Sequence, residues 1–295
     1  MRHFYFLILN LIGLSLFFEP LKQLVGLSFS NPLYSHVILI PVMSLYILAK
    51  NRLTIFAESG YAVNSGVTVI AAGLLFYVVG TSYAGDLNQN DYLSMMMLSF
   101  WVCFGGSFIG IYGKRALKLA LFPLMFLIFI IPVPTMILDQ VINILLIGSA
   151  ETSYQVFQIL DIPIFRQEFV FELPGISVEV ARQCSGIRST LALTITGVLA
   201  GYLFLDTGWR RVVLCLCVFP VTIFKNSLRI VTISLLAAYV DPVFLTNHWI
   251  HSAGGKPFFI FALLFMVPVL LLLRRGERKK IDSPPASLDP KNTRT

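Results

Sequence analysis

Charge is what this sequence has least of. Only 13% of its 295 residues are Asp, Glu, Lys or Arg, against about 25% in a soluble domain, while 57% are apolar. A soluble globule cannot cover its surface with so little charge, and an unstructured chain cannot keep so much apolar side chain in water. Cysteine is sparse too. There are four, and Cys103, Cys215 and Cys217 sit inside apolar runs, which excludes a disulfide-stapled secreted module. Those three read as small buried hydrophobes. Internal repeats are absent, and low complexity is confined to the C-terminal tail. What the sequence has in abundance is long apolar runs, the mark of a polytopic membrane protein.

A helix needs about 20 mainly apolar residues to cross the hydrocarbon layer. Runs that qualify lie near residues 4–27, 33–49, 67–84, 92–112, 119–138, 186–205, 212–238 and 257–273. The expected fold is therefore an all-α polytopic bundle of about eight transmembrane helices. The first run follows Arg2 but has no small-residue cleavage site after it, so it reads as a retained span. The formal net charge of +7 would suit nucleic acid, yet its distribution argues otherwise. Arg2, Lys50 with Arg52, Lys114 with Arg115 and Lys118, Arg210 with Arg211, and the basic tail from Arg274 fall in alternate segments between the eight spans, and so on one side of them. With both termini inside, these residues, most of the 22 lysines and arginines, are cytoplasmic. Topology explains the basic charge, no nucleic-acid partner is expected, and the tail can touch anionic lipid.

One stretch departs from the pattern. Residues 139–160 have the length of a span, but Gln140, Asn143, Glu151, Gln155 and Gln158 recur at helical spacing along one face. Such an amphipathic helix lies at the membrane surface or seals a cavity. Ile131-Pro132-Val133-Pro134 should end the span before it. Over 164–182, Phe169-Val170-Phe171-Glu172-Leu173 and Ile176-Ser177-Val178-Glu179-Val180 alternate loosely about Pro174-Gly175, which predicts a short β-hairpin. Helix and hairpin would form an extracytoplasmic cap over 139–185. Residues 1–280 then read as a single integral membrane domain and 281–295 as a disordered cytoplasmic tail.

In that topology three reactive residues from separate stretches reach the outer side at one depth. Cys184 follows the hairpin. Arg229 lies 18 residues beyond Arg211, about 27 Å of helix and close to the full thickness of a bilayer core. His251 precedes the last span. Each also has a plainer reading. Cys184 could be one more small apolar side chain, although Arg182, Arg188, Gly186 and a helix start all favour a thiolate there. Arg229 either snorkels to the interface or, with Asn226 on the same face, lines a polar pocket. Lys225 reads as a snorkelling lysine. His248 and His251 flank Trp249 at an interface or supply a general base for the cysteine. As a zinc pair they lack the glutamate of an HExxH helix.

The run Val180-Ala181-Arg182-Gln183-Cys184-Ser185-Gly186-Ile187-Arg188-Ser189, then Asn226-Ser227-Leu228-Arg229-Ile230, then His251 with Gly255, resembles the exosortase/archaeosortase family. Ile131-Pro132-Val133-Pro134, Asp161-Ile162-Pro163 and Tyr34-Ser35-His36 extend the resemblance over most of the chain. It implies a bacterial membrane cysteine peptidase or transpeptidase with Cys184, Arg229 and His251 as its active site. Arg188, Asn226, Ser185, Arg182 and His36 would support the site or bind substrate, with His248 the alternative to His251. Lys256 stands where many members have tryptophan after the glycine. No cofactor or metal is implied. The implied substrates are exported proteins with a PEP-CTERM-like tail, comprising a short motif, an apolar span and a basic cluster. They would be cut at the outer face of the cytoplasmic (inner) membrane. The alternative from another class is a transporter or exopolysaccharide-assembly protein, in which Arg229 would bind an anionic substrate.

Overall fold

The computed structural model describes residues 1–57, 59–246 and 255–281. The described residues are mainly helical, with one small sheet among them, and the chain forms two compact units that meet in sequence at Asp139 and Gln140. Among the described residues, six helices are long and apolar enough to cross a membrane: Pro32–Lys50, Val63–Ser82, Gln89–Leu119, Ile187–Phe204, Gly208–Tyr239 and Pro257–Glu277. Counting two sharply bent helix pairs as spans brings the number to eight.

In the first unit, the expected first span is two helices, α1 (Arg2–Leu16) and α2 (Phe18–Ser30), meeting at 76°. The break falls four residues before Pro20, the third residue of α2, whose ring would clash with the carbonyl of Leu16, the last residue of α1, if the helix ran on. Then come α3 (Leu39–Lys50), α4 (Arg52–Ala57), α5 (Val63–Ser82), α6 (Gln89–Leu119) and α7 (Leu121–Phe126). Helices α5 and α6 pack at backbone distance. Gly66, Gly73 and Gly80 repeat every seven residues along the buried face of α5, and a Cβ on Gly66 would stand 2.5 Å from the Gly110 Cα. Small residues permit this approach between helices that gain nothing from excluding water.

The second bend, 86°, is at Ile131–Pro134, where the sequence predicts the span to end. Side chains at the start of α6 hold the turn. Asn90 donates to the Val133 carbonyl (2.8 Å) and Ser94 to the Pro132 carbonyl (2.7 Å), while the Asp91 carboxylate accepts the Thr135 N–H (2.6 Å). Helix α8 (Thr135–Ile159) starts from that point.

The second unit opens on α8, whose expected polar stripe is exposed at Gln140, Asn143, Glu151, Gln155 and Gln158. Its opposite face, Leu145, Leu146, Ser149, Ala150, Ser153 and Phe157, is buried. The expected hairpin is a three-stranded antiparallel meander in the order β1 (Phe165–Gln167), β2 (Val170–Leu173), β3 (Ile176–Glu179). The extra strand folds back through a turn in which Glu168 takes a left-handed φ of 50°. Phe171 and Leu173 point inward from β2, Glu172 points out, and the inner face packs on Phe157 of α8 and on Ile230 and Val231. The Phe157 and Phe171 rings meet edge to face at 5.7 Å. Beyond the sheet lie α9 (Ile187–Phe204), α10 (Gly208–Leu216), α11 (Val218–Tyr239), the short α12 (Val243–Thr246) and α13 (Gly255–Ile281).

A second core joins α9, α10, α11 and α13 through Leu193, Leu214, Val218, Ala262 and Met266. At one end of this group Glu277, 8% exposed, accepts the Asp206 and Thr207 N–H groups (3.1 and 2.8 Å) and pairs with Arg210 (3.6 Å). The carboxylate thus ties down the two residues that lead into α10 and sets its negative charge near the positive N-terminal end of that helix.

Candidate active site

The segment from β3 to α9 is shaped by the Cys-Ser-Gly run. Arg182–Cys184 form one 3₁₀ turn, closed by the Cys184 N–H on the Ala181 carbonyl (2.8 Å). Gly186 then adopts φ 79° and ψ 10° as the residue before α9. Only glycine takes this conformation without cost, and the space for a side chain is tight as well. A Cβ there would sit 3.3 Å from the Asn226 Cγ and Oδ1. The Gly186 carbonyl begins the helix, accepting the Thr190 N–H (3.0 Å) and the Ser189 hydroxyl (2.8 Å).

Asn226, fully buried on α11, ties this turn to the bundle. Its Nδ2 donates to the Cys184 carbonyl (2.7 Å) and to Ser149 Oγ on α8 (3.1 Å). Ser227 donates to the Ser149 carbonyl (3.0 Å), a second link between α11 and α8. One turn away from Asn226, Arg229 and half-buried Cys184 line a single cavity of about 210 Å³ whose other walls include β3, Ile233 and Ser234. The cavity thus brings a thiol and a guanidinium, a fixed positive charge, to one space.

The other candidates fall as follows. Ser185 is fully buried next to Cys184. Arg182 and Arg188 are exposed on the turn and on the first turn of α9, outside the cavity lining. His36 belongs to the first unit, half-buried before α3, with its carbonyl accepting the Leu39 N–H (3.0 Å). His248 and His251 lie outside the described residues. Lys225 does not snorkel. It is 4% exposed and donates to Ser189 Oγ (2.6 Å), because that hydroxyl on α9 offers an acceptor inside the bundle. Ser149, Ser234 and Ser189 were not singled out from sequence. Their one available signal was a hydroxyl at the helical spacing of a buried face, as with Ser149 and Ser153 among the apolar residues of α8.

Searches of curated proteins and of solved structures give no match. The family model for transmembrane exosortases matches residues 28–268, a stretch that takes in the Cys-Ser-Gly turn, α8 and α11. That match covers well over half of the sequence, and the chain, an integral membrane protein, belongs to the transmembrane exosortase family.

Proposed function

We propose that the chain is a cysteine peptidase or transpeptidase that cuts the C-terminal sorting tails of exported proteins at the outer face of the bacterial cytoplasmic membrane. The observation that carries this reading is that Cys184 and Arg229, 45 positions apart in the sequence, line one cavity. In the reaction the Cys184 thiolate attacks the scissile carbonyl carbon and a C–S bond forms. Arg229 holds the negative oxygen of the tetrahedral intermediate, a contribution of about 2.7–4 kcal/mol for a well-placed donor. The C–N bond breaks as His251, having taken the thiol proton, returns it to the leaving amine. Water or an acceptor amine then attacks the thioester and frees Cys184.

Sidedness follows from the positive-inside rule: Arg2, Arg210, Arg211 and the basic tail are cytoplasmic, and the cap with Cys184 faces outward. The substrate tail, a short motif with an apolar span and a basic cluster, would lie among the spans and present its motif at the outer face.

The test is co-expression with reporters that carry PEP-CTERM-like tails, reading full-length against trimmed reporter at matched enzyme levels. Cys184→Ala should abolish trimming. Cys184→Ser should come close to abolishing it, because a hydroxyl is much harder to deprotonate. Trimming at the native rate by Cys184→Ala would reject the reading in favour of a transport or assembly role.

A further inference from the structure

The cavity that holds Cys184 and Arg229 is also lined by Ser177, Val178, Glu179 and Val180, four residues in a row. Successive side chains of a strand point to opposite faces, so a cavity lined by four consecutive residues runs along the edge of the strand. β3 has such an edge, since the sheet order β1-β2-β3 leaves its outer side unpaired within the sheet. Its register with β2 pairs Leu173 with Ile176 and Phe171 with Val178, and the Val180 N–H meets the Phe169 carbonyl (2.8 Å). In an antiparallel ladder bonded positions alternate, so Ile176, Val178 and Val180 bond toward β2 while the backbone of Ser177 and Glu179 points away.

The Glu179 carbonyl is occupied by the Ala181 N–H (3.1 Å). Among the described residues, no group bonds the Ser177 N–H, the Ser177 carbonyl or the Glu179 N–H on that side. The Ser234 hydroxyl, fully buried and lining the same cavity, also has no hydrogen-bond partner among the described residues. Two donors and one acceptor spaced by one strand repeat, about 6.8 Å, are met by two carbonyls and one N–H from residues two apart in an extended chain. A polypeptide carries that pattern in its backbone whatever its side chains; a lipid headgroup or a sugar does not.

We infer that the substrate binds as an added strand along the outer edge of β3, its backbone pairing with Ser177 and Glu179 so that the scissile bond reaches Cys184. This inference rests on the peptidase reading above. Strand addition of this kind draws affinity from main-chain bonds and leaves selectivity to side-chain pockets. It also gives the open edge an occupant, where an unmanaged edge invites unwanted pairing. Ser234 would bond a peptide group of the same segment.

The experiment uses the full chain in membranes and a tailed reporter that the native chain trims. Ser177→Pro and Glu179→Pro each delete one outward N–H and leave the ladder to β2 intact, since proline is tolerated where its missing donor faces off the edge. Ser177→Ala and Glu179→Gln keep the N–H. Each proline variant should trim about tenfold or more slowly than its partner at the same position, with native membrane levels and native labelling of Cys184 by a thiol reagent. Equal rates within each pair, with Cys184→Ala inactive, would overturn the strand pairing and leave the peptidase reading standing. Trimming by Cys184→Ala would overturn the peptidase reading itself. Should a proline variant fail to fold, cross-linking decides. With a mild thiol oxidant added to accept the two electrons, Ser177→Cys in the Cys184→Ala chain should form disulfides with reporter cysteines at alternate positions of the segment before the cut. Cross-linking without that alternation, or none, would overturn the proposal.

Discussion

Asn226→Ala should disable the site while leaving Cys184 and Arg229 in the chain. The side chain is fully buried and makes two hydrogen bonds through Nδ2, to the Cys184 carbonyl at 2.7 Å and to Ser149 Oγ at 3.1 Å. Each bond contributes about 0.5–1.5 kcal/mol net, so losing both costs about 1–3 kcal/mol. At about 1.4 kcal/mol per tenfold, that range spans roughly fivefold to 150-fold. The loss should fall mainly on activity, because the 2.7 Å bond holds the backbone of Cys184, the proposed nucleophile, and small displacements of a reacting group are expensive. Trimming of a tailed reporter, normalised to folded enzyme, should drop about ten- to 100-fold. The rate of Cys184 alkylation should change, while that of Cys103 in the other unit should not. Asn226→Asp should not rescue, since a carboxylate cannot donate to the Cys184 carbonyl. Native trimming by Asn226→Ala, or a loss no greater than the loss of folded protein, would refute the argument.

Three further substitutions probe the scaffold. Phe171→Ala removes the ring that meets Phe157 at 5.7 Å in the core beneath the sheet; it should destabilise the second unit by about 3–5 kcal/mol, read as a lower melting temperature in detergent. Gly66→Val would drive side-chain atoms into the Gly110 backbone, where a Cβ alone already comes within 2.5 Å; folded protein in membranes should fall sharply, whereas substitution at Gly85, with nothing within 4 Å, should be tolerated. Glu277→Ala strips the partner from Arg210 and from two backbone N–H groups at a buried position; it should cost about 3–5 kcal/mol, and Glu277→Gln less, because an amide oxygen still accepts one of those N–H groups.

Much of the architecture is legible in the sequence because the bilayer imposes coarse demands. Apolar runs of span length, the polar stripe of α8, the proline break at residues 131–134 and the turn at Pro174-Gly175 each follow from one dominant physical constraint. The features that escape depend either on a local backbone conformation or on partners far away in sequence. Phe165-Arg166-Gln167 shows no alternation and becomes β1 only because Glu168 takes a left-handed turn that lays it beside β2. The first apolar run hides its break because Pro20 acts on a carbonyl four residues back, within a stretch whose hydropathy never drops. At the candidate site the Cys-Ser-Gly run announces a special turn, since Gly186 stands at a helix start two residues after Cys184, between Arg182 and Arg188. Ser149 and Ser234 announce little beyond a hydroxyl at the spacing of a buried face. Their hydroxyls matter because α11 brings Asn226 against one and the cavity against the other, and neither contact leaves a period in the sequence. Lys225 misleads for the same reason, its partner Ser189 being 36 residues away.

The most direct test of the central claim, that Cys184 forms an acyl intermediate with a substrate tail, is mass spectrometry of the enzyme isolated from cells expressing a trimmed reporter. The account predicts a covalent adduct on the peptide containing Cys184, released by neutral hydroxylamine as expected for a thioester, and absent from Cys184→Ala. A chain that trims the reporter while carrying no adduct at Cys184, or carrying one that hydroxylamine does not release, would contradict it.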